Sequence, residues 1–162
     1  MKVLVATEKP FAAAAVNGIK AEVEAAGNEL ALLEKYTEKA QLLDAVKDAD
    51  YISIHMPLTD ETRGMFNEKL FAVMTRKPVI INAARGLIVD APAMVKALDE
   101  GQVSWYCADV YPNDPPAEDY PLLKAQHVTL TPHVGANSKE NLLRIGDEIV
   151  ATIKDLKGDG KI

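Results

Sequence analysis

Lys47-Asp48-Ala49-Asp50-Tyr51-Ile52-Ser53-Ile54-His55-Met56-Pro57 runs from a charged helix end into a short apolar segment and stops at proline. Five residues rich in β-branched and aromatic side chains, closed by a residue that lacks an amide hydrogen, predict a buried strand over Tyr51 to His55. Outward from it, strand-like and helix-like segments alternate. Towards the N-terminus, Lys2 to Ala6 and Glu29 to Leu33 read as strands. Between them lies an Ala-rich helix from Phe11 to Ala26, with Gly27 placed as its cap. A second helix, N-capped by Thr37, carries Leu42, Leu43 and Val46 on one face as far as Asp48. Towards the C-terminus, Asn67 caps a short helix containing Leu70, Phe71 and Met74. Val79 to Ala83 is a fourth strand, and Asp90 with Pro92 opens a helix that stops at Gly101. Ser104 to Val110 is a fifth strand and Val128 to Leu130 a sixth. Ser138 opens a last helix with Leu142, Ile145, Ile149, Ile153 and Leu156 spaced three or four apart, and the tail Gly158 to Ile162 is expected to fray.

Strands joined through helices require right-handed crossovers and a parallel sheet covered on both faces. The expected fold is therefore one α/β domain over residues 1–162: a doubly wound, flavodoxin-like sheet of order 2-1-3-4-5, with the sixth strand beyond the fifth. A chain of 162 residues can bury such a core without disulfides or metals. The net charge of -6, with both signs interspersed, disfavours nucleic acid and anionic membrane surfaces as partners. No apolar run approaches the roughly 20 residues that span a bilayer. The opening Lys2-Val3-Leu4-Val5-Ala6 is too short and too β-branched for a signal sequence. A lone cysteine, Cys107, fits a reducing cytoplasm. The expected assembly is a monomer or a homodimer.

Ligands of such sheets bind outside the carboxyl ends of the strands, and the chemically capable residues collect there. His55 ends the third strand and Arg85 follows the fourth. Asp109 ends the fifth strand, Asp114 lies in the Pro-rich loop from Pro112 to Pro121, and His133 follows the sixth strand. The guanidinium of Arg85 matches a carboxylate bidentately. An imidazole such as that of His133 can exchange a proton with a hydroxyl or carbonyl oxygen. A carboxylate such as Asp114 beside it would orient the imidazole and favour its protonated form. Together the three could reduce a 2-oxo acid, given a hydride donor. Taken singly, an Arg-Gly after a strand is usually a solvated turn and a lone His is usually structural. No metal is expected, because His55, His127 and His133 lack ligand spacing.

Four ordered motifs add specificity. They are Ile54-His55-Met56-Pro57-Leu58-Thr59 with Glu61-Thr62-Arg63-Gly64, Ile81-Asn82-Ala83-Ala84-Arg85-Gly86 with Val89-Asp90, Ala108-Asp109-Val110, and Thr131-Pro132-His133-Val134-Gly135. Through them residues 49–153 resemble the C-terminal half of the cofactor domain of the NAD-dependent D-2-hydroxyacid dehydrogenases. The resemblance implies that Arg85 binds the substrate carboxylate, that His133 is the acid/base and that Asp114 is its partner. It further implies that Asp109 contacts the nicotinamide carboxamide, while His55, Pro57 and Ala84 line the cofactor cleft. Asp114 stands where the family usually has glutamate, and its shorter side chain reaches less far. Residues 1–50 resemble instead the start of the family's substrate domain.

The implied cofactor is NAD, but its usual anchor is missing from the sequence. No G-x-G-x-x-G occurs. After the first strand the chain reads Thr7-Glu8-Lys9-Pro10-Phe11, without glycine and with an acid that opposes phosphate. Glu34 is the nearest acid for a ribose. The expectation is a flavodoxin-like fragment or chimera of dehydrogenase pieces, without tight NAD binding or independent catalysis. The alternative is an NAD-dependent oxidoreductase of small 2-hydroxy or 2-oxo acids completed by a partner chain. A phosphoacceptor receiver is disfavoured because the third strand ends in His55 rather than aspartate. A flavodoxin would want Ser, Thr and Gly after the first strand.

Overall fold

In the computed structural model the described residues are 1–7, 13–34 and 37–135, with 143, 150, 151 and 154. The chain divides into two compact units, Met1–Pro132 and His133–Ile162. The expected last helix and tail, and the Glu8 to Phe11 segment, lie outside the described residues apart from those four single positions.

All the strands described belong to the first unit. They are β1 (Lys2–Thr7), β2 (Glu29–Leu33), β3 (Tyr51–His55), β4 (Val79–Asn82), β5 (Trp105–Ala108) and β6 (Val128–Leu130). They form one sheet of order β2-β1-β3-β4-β5-β6 in which every neighbouring pair is parallel. This is the order expected from the βα alternation. Helices α1 (Ala13–Ala25), α2 (Lys39–Lys47), α3 (Glu68–Phe71) and α4 (Ala91–Asp99) make the crossovers, and 3₁₀ turns occupy Gly86–Ile88 and Pro121–Leu123.

Local chemistry accounts for most helix ends. The side chains of Asn67 and Asp90 accept the Lys69 and Ala93 amides at the starts of α3 and α4. After α1, Gly27 adopts φ 69°, so that its own amide and that of Asn28 reach back to Glu24 O and Val23 O. The start of α2 differs from expectation. Its N-cap is Glu38, not Thr37, and Leu42 N–H donates to Glu38 O at 3.0 Å. Burial of Leu42 and Val46 sets the helix register here, and it outweighs a side-chain cap worth about 1 kcal/mol. The fourth and fifth strands are also shorter than expected. β4 stops at Asn82, whose side chain turns back to accept the Ala84 amide at 3.1 Å. β5 stops at Ala108, which leaves Asp109 just past the strand.

The sheet carries a core on each face. On one, Leu4, Ala6, Ile52, Ile54, Ile80 and Tyr106 pack with Leu42 and Val46 of α2, Leu70 and Phe71 of α3, and Met94 and Leu98 of α4. On the other, Val3 and Val5 meet Val16 of α1, with Ile19, Val23 and Leu30 beside them. At the amino edge, the Asp50 carboxylate accepts the Lys2 amide at 2.7 Å and the Arg76 guanidinium at 2.8 and 3.0 Å. The first of these bonds, then the second, hold its carboxyl below the usual carboxylate range. Asp50 thereby ties β1 and the start of β3 to the turn that leads into β4.

Ile54 has no solvent exposure and lies on a central strand. Ile54→Ala is expected to cost about 2–5 kcal/mol, read by denaturant unfolding. A loss under 1 kcal/mol, roughly the cost of a minor volume-conserving swap, would contradict this packing.

Candidate functional site at the carboxyl edge

Parallel register places Ile54, Asn82, Ala108 and Leu130 in one row across β3 to β6. One residue further on, His55, Asp109 and Thr131 stand at the carboxyl edge, and Thr7 pairs with His55 from β1. Strand ends thus bring the predicted residues of the first unit to one side of the sheet.

His55 is buried, with Nε2 2.8 Å from the Ser53 hydroxyl two residues back on the same face. Burial holds its pKa below the ordinary value. Pro57 is half-buried, and its carbonyl accepts the Thr62 hydroxyl at 2.8 Å. This bond, with the Thr59 amide donating to Thr62 Oγ1 at 2.8 Å, shapes the turn after β3.

The Arg85 loop is built on Asn82, which is fully buried. Its Nδ2 donates to Arg85 O at 3.0 Å and to the Tyr106 hydroxyl at 3.3 Å, while its Oδ1 accepts the Ala84 amide. Ala84 is buried beneath the loop, and its carbonyl accepts Arg85 Nη1 at 2.7 Å. Arg85 itself is exposed on extended backbone. Burial pushes the Tyr106 phenol far up, so it stays a neutral partner for Asn82. Among the described residues, every buried side-chain nitrogen and oxygen has a hydrogen-bond partner.

Gly86 joins this loop to the one after β5. A Cβ at Gly86 would stand 2.2 Å from the Tyr111 carbonyl carbon and 2.6 Å from Pro112 N. Only a residue without a side chain lets the two backbones meet. In the second loop, Asp109 Oδ1 accepts the Thr131 hydroxyl at 2.5 Å, and the Tyr111 hydroxyl donates to Thr131 O at 2.8 Å. Burial, then the carboxylates of Asp109 and Asp114, raise the Tyr111 pKa. Asp114 is exposed and precedes a cis peptide bond to Pro115.

The first unit therefore holds Ala84, Arg85, Asp109 and Asp114 on two loops in backbone contact. His133 opens the second unit, exposed and in left-handed backbone at φ 54°. Asn82, Gly86, Tyr111 and Thr131 are structural members of this edge to which the sequence reading assigned no role. Three of them stood inside the quoted motifs, but the partners they meet lie about 20 or more residues away.

Residues 10–135 match the family described as D-isomer specific 2-hydroxyacid dehydrogenase, NAD binding domain. The chain is similar to D-3-phosphoglycerate dehydrogenase 2, chloroplastic, of Arabidopsis thaliana, at 40% identity over 116 residues, 71% of this chain and 19% of that protein. It is similar also to the glyoxylate reductase of Aeropyrum pernix, at 38% identity over 108 residues, 67% of this chain and 32% of that protein. Among solved structures, the D-lactate dehydrogenase of Aquifex aeolicus complexed with NAD and lactic acid superposes with a TM-score of 0.79 at 25% identity. That superposition covers 98% of this chain and 54% of the other. The NAD-dependent formate dehydrogenase of Staphylococcus aureus in complex with NAD gives 0.78 at 25% identity, covering 99% and 50%. The chain spans about 19% to 35% of the length of these and similar curated relatives.

Two outcomes follow from this geometry. Gly86→Ala must displace the Tyr111–Pro112 peptide, at a cost of about 1–3 kcal/mol, measurable by denaturant unfolding, with amide shifts in both loops by NMR. Unchanged stability and unchanged spectra would show that the loops do not touch. For His55, a folded pKa below the unfolded 6.5 means the native state binds fewer protons in that window. Stability then rises with pH and levels off above the unfolded value. His55→Gln lacks this titration, so any stability advantage of the variant at acid pH should shrink as pH rises towards neutrality. Parallel pH–stability curves for the two proteins would contradict a buried neutral imidazole.

Proposed function

Because this chain belongs to the D-isomer specific 2-hydroxyacid dehydrogenases, we propose that it keeps the carboxylate-binding part of their site without the part that anchors the dinucleotide. One observation carries the reading. β1 lies between β2 and β3, the position at which a doubly wound fold turns a glycine-rich loop towards a pyrophosphate. The sequence after Thr7 is Glu8-Lys9-Pro10-Phe11-Ala12. It has no glycine for close approach, it loses one backbone donor to Pro10, and it carries an acid. These residues do not fit a pyrophosphate.

What remains suits a small 2-oxo or 2-hydroxy acid. Arg85 is exposed, its loop is held by Asn82, and its fork matches the carboxylate. The family resemblance assigns the acid/base chemistry of such a substrate to His133, with Asp114 as the carboxylate of the pair. His55, Pro57, Ala84 and Asp109 are the inherited nicotinamide-side residues. A carboxylate held by an exposed arginine is screened by water and salt. Without a held nicotinamide, the positioning worth about 7–11 kcal/mol of a reaction barrier is absent.

The purified protein is therefore expected to bind 2-oxo acids weakly and to oxidise no NADH above background with them. A steady-state assay over several 2-oxo acids tests this. NADH oxidation that saturates in both substrates and vanishes in His133→Ala would overturn the proposal and favour a complete oxidoreductase site.

A further inference from the structure

A cavity of about 630 Å³ lies within the first unit between α2 and the turn and helix that follow β3. It is larger than the pocket of about 270 Å³ in the Pro-rich loop, and it falls in the range that holds small organic ligands. None of Arg85, Asp109 or Asp114 lines it.

Its lining combines two chemistries. Leu42 and Leu70, both nearly fully buried, and the half-buried Met65 make an apolar base, and Leu43 continues it with 40% of its surface exposed. Around this base stand the exposed cations Lys39, Arg63 and Lys69. None of the three forms an ion pair among the described residues, a state they share with Lys47, Lys77, Arg85 and Lys124 elsewhere on the surface. Asp60 and Glu61 also reach the rim, leaving one more cation than anions in a chain whose net charge is -6.

The wall formed by the turn and helix after β3 is hydrogen-bonded in place. Asn67 donates to Gly64 O at 2.8 Å and accepts the Lys69 amide at 3.1 Å. Gly64 N–H and Phe66 N–H donate to Leu87 O and Ile88 O. A preformed cavity requires little ordering when a ligand enters.

We propose that this cavity binds an amphiphilic organic anion, its apolar body on Leu42, Leu43, Met65 and Leu70 and its carboxylate or sulfonate among Lys39, Arg63 and Lys69. Apolar burial supplies affinity without direction, and the cations orient the charged end. The inference stands apart from the carboxyl-edge reading and uses none of its residues.

The test is a titration of the full chain with anilinonaphthalene sulfonate, followed by fluorescence and by amide and methyl NMR. Saturable one-to-one binding with shifts centred on Leu42, Leu43, Met65 and Leu70 is expected. The double variant Arg63→Glu/Lys69→Glu changes only exposed side chains and should weaken binding by at least about tenfold. Lys20→Glu on α1 should leave it unchanged, and octanoate should compete with the dye. An unchanged dissociation constant in the double variant, shifts centred elsewhere, or no saturable binding would overturn the proposal. Displacement of the dye by NADH would also overturn it, by assigning the cavity to the dinucleotide. Displacement by NADH would count against both readings; every other outcome leaves the 2-oxo acid assay untouched, so the two readings fail separately.

Discussion

At the amino edge of the sheet, the Asp50 carboxylate draws the Lys2 amide and the Arg76 guanidinium to one point. Its own amide donates to Lys2 O, and its carbonyl accepts the Val79 amide. These four contacts set where β3 starts relative to β1 and β4. In a parallel sheet a slip of one residue would exchange the faces of a strand. Ile52 and Ile54 would leave the larger core, and Ser53 and His55 would enter it. The carboxyl edge inherits its alignment from the same row, because Ile54, Asn82, Ala108 and Leu130 follow from it strand by strand. The placement of His55, Asp109 and Thr131 at the far end of the sheet is therefore decided some five residues earlier in each strand.

Two small residues then convert aligned strand ends into a shaped edge. Asn82 saturates its amide within the protein, binding the loop that carries Arg85 to Tyr106 of the neighbouring strand. A buried amide left without these partners would cost about 1–3 kcal/mol, so the loop conformation and the strand pairing support each other. Gly86 acts through space rather than polarity, since its missing side chain admits the Tyr111–Pro112 peptide. Arg85 and Asp109 thus sit on backbones that cannot shift independently.

The α2 side of the sheet follows a different logic. Leu42 and Val46 are committed to the core, while Leu43, one residue on, is exposed at the cavity. A helix joined so directly to β3 through Ala49 and Asp50 packs close to the sheet, and the turn over residues 59–67 is held away from it by bonds to the Gly86–Ile88 turn. The cavity lies between these two separately anchored elements.

By itself the sequence determined the alternation of strands and helices, the strand order, the Asn67 and Asp90 caps, the glycine stop after α1 and the motif residues at the strand ends. Each is a matter of neighbours a few residues apart, where propensity, periodicity and crossover handedness act locally. The missing glycine loop was legible for the same reason. Only the tertiary structure decided that α2 starts from Glu38 instead of Thr37 and that β4 and β5 end at Asn82 and Ala108. It alone joined Asn82 to Tyr106, Gly86 to Tyr111 and Asp109 to Thr131 across separations of 24, 25 and 22 residues. Such contacts depend on register and packing summed over the whole sheet, and no short stretch of chain contains the energies that select them.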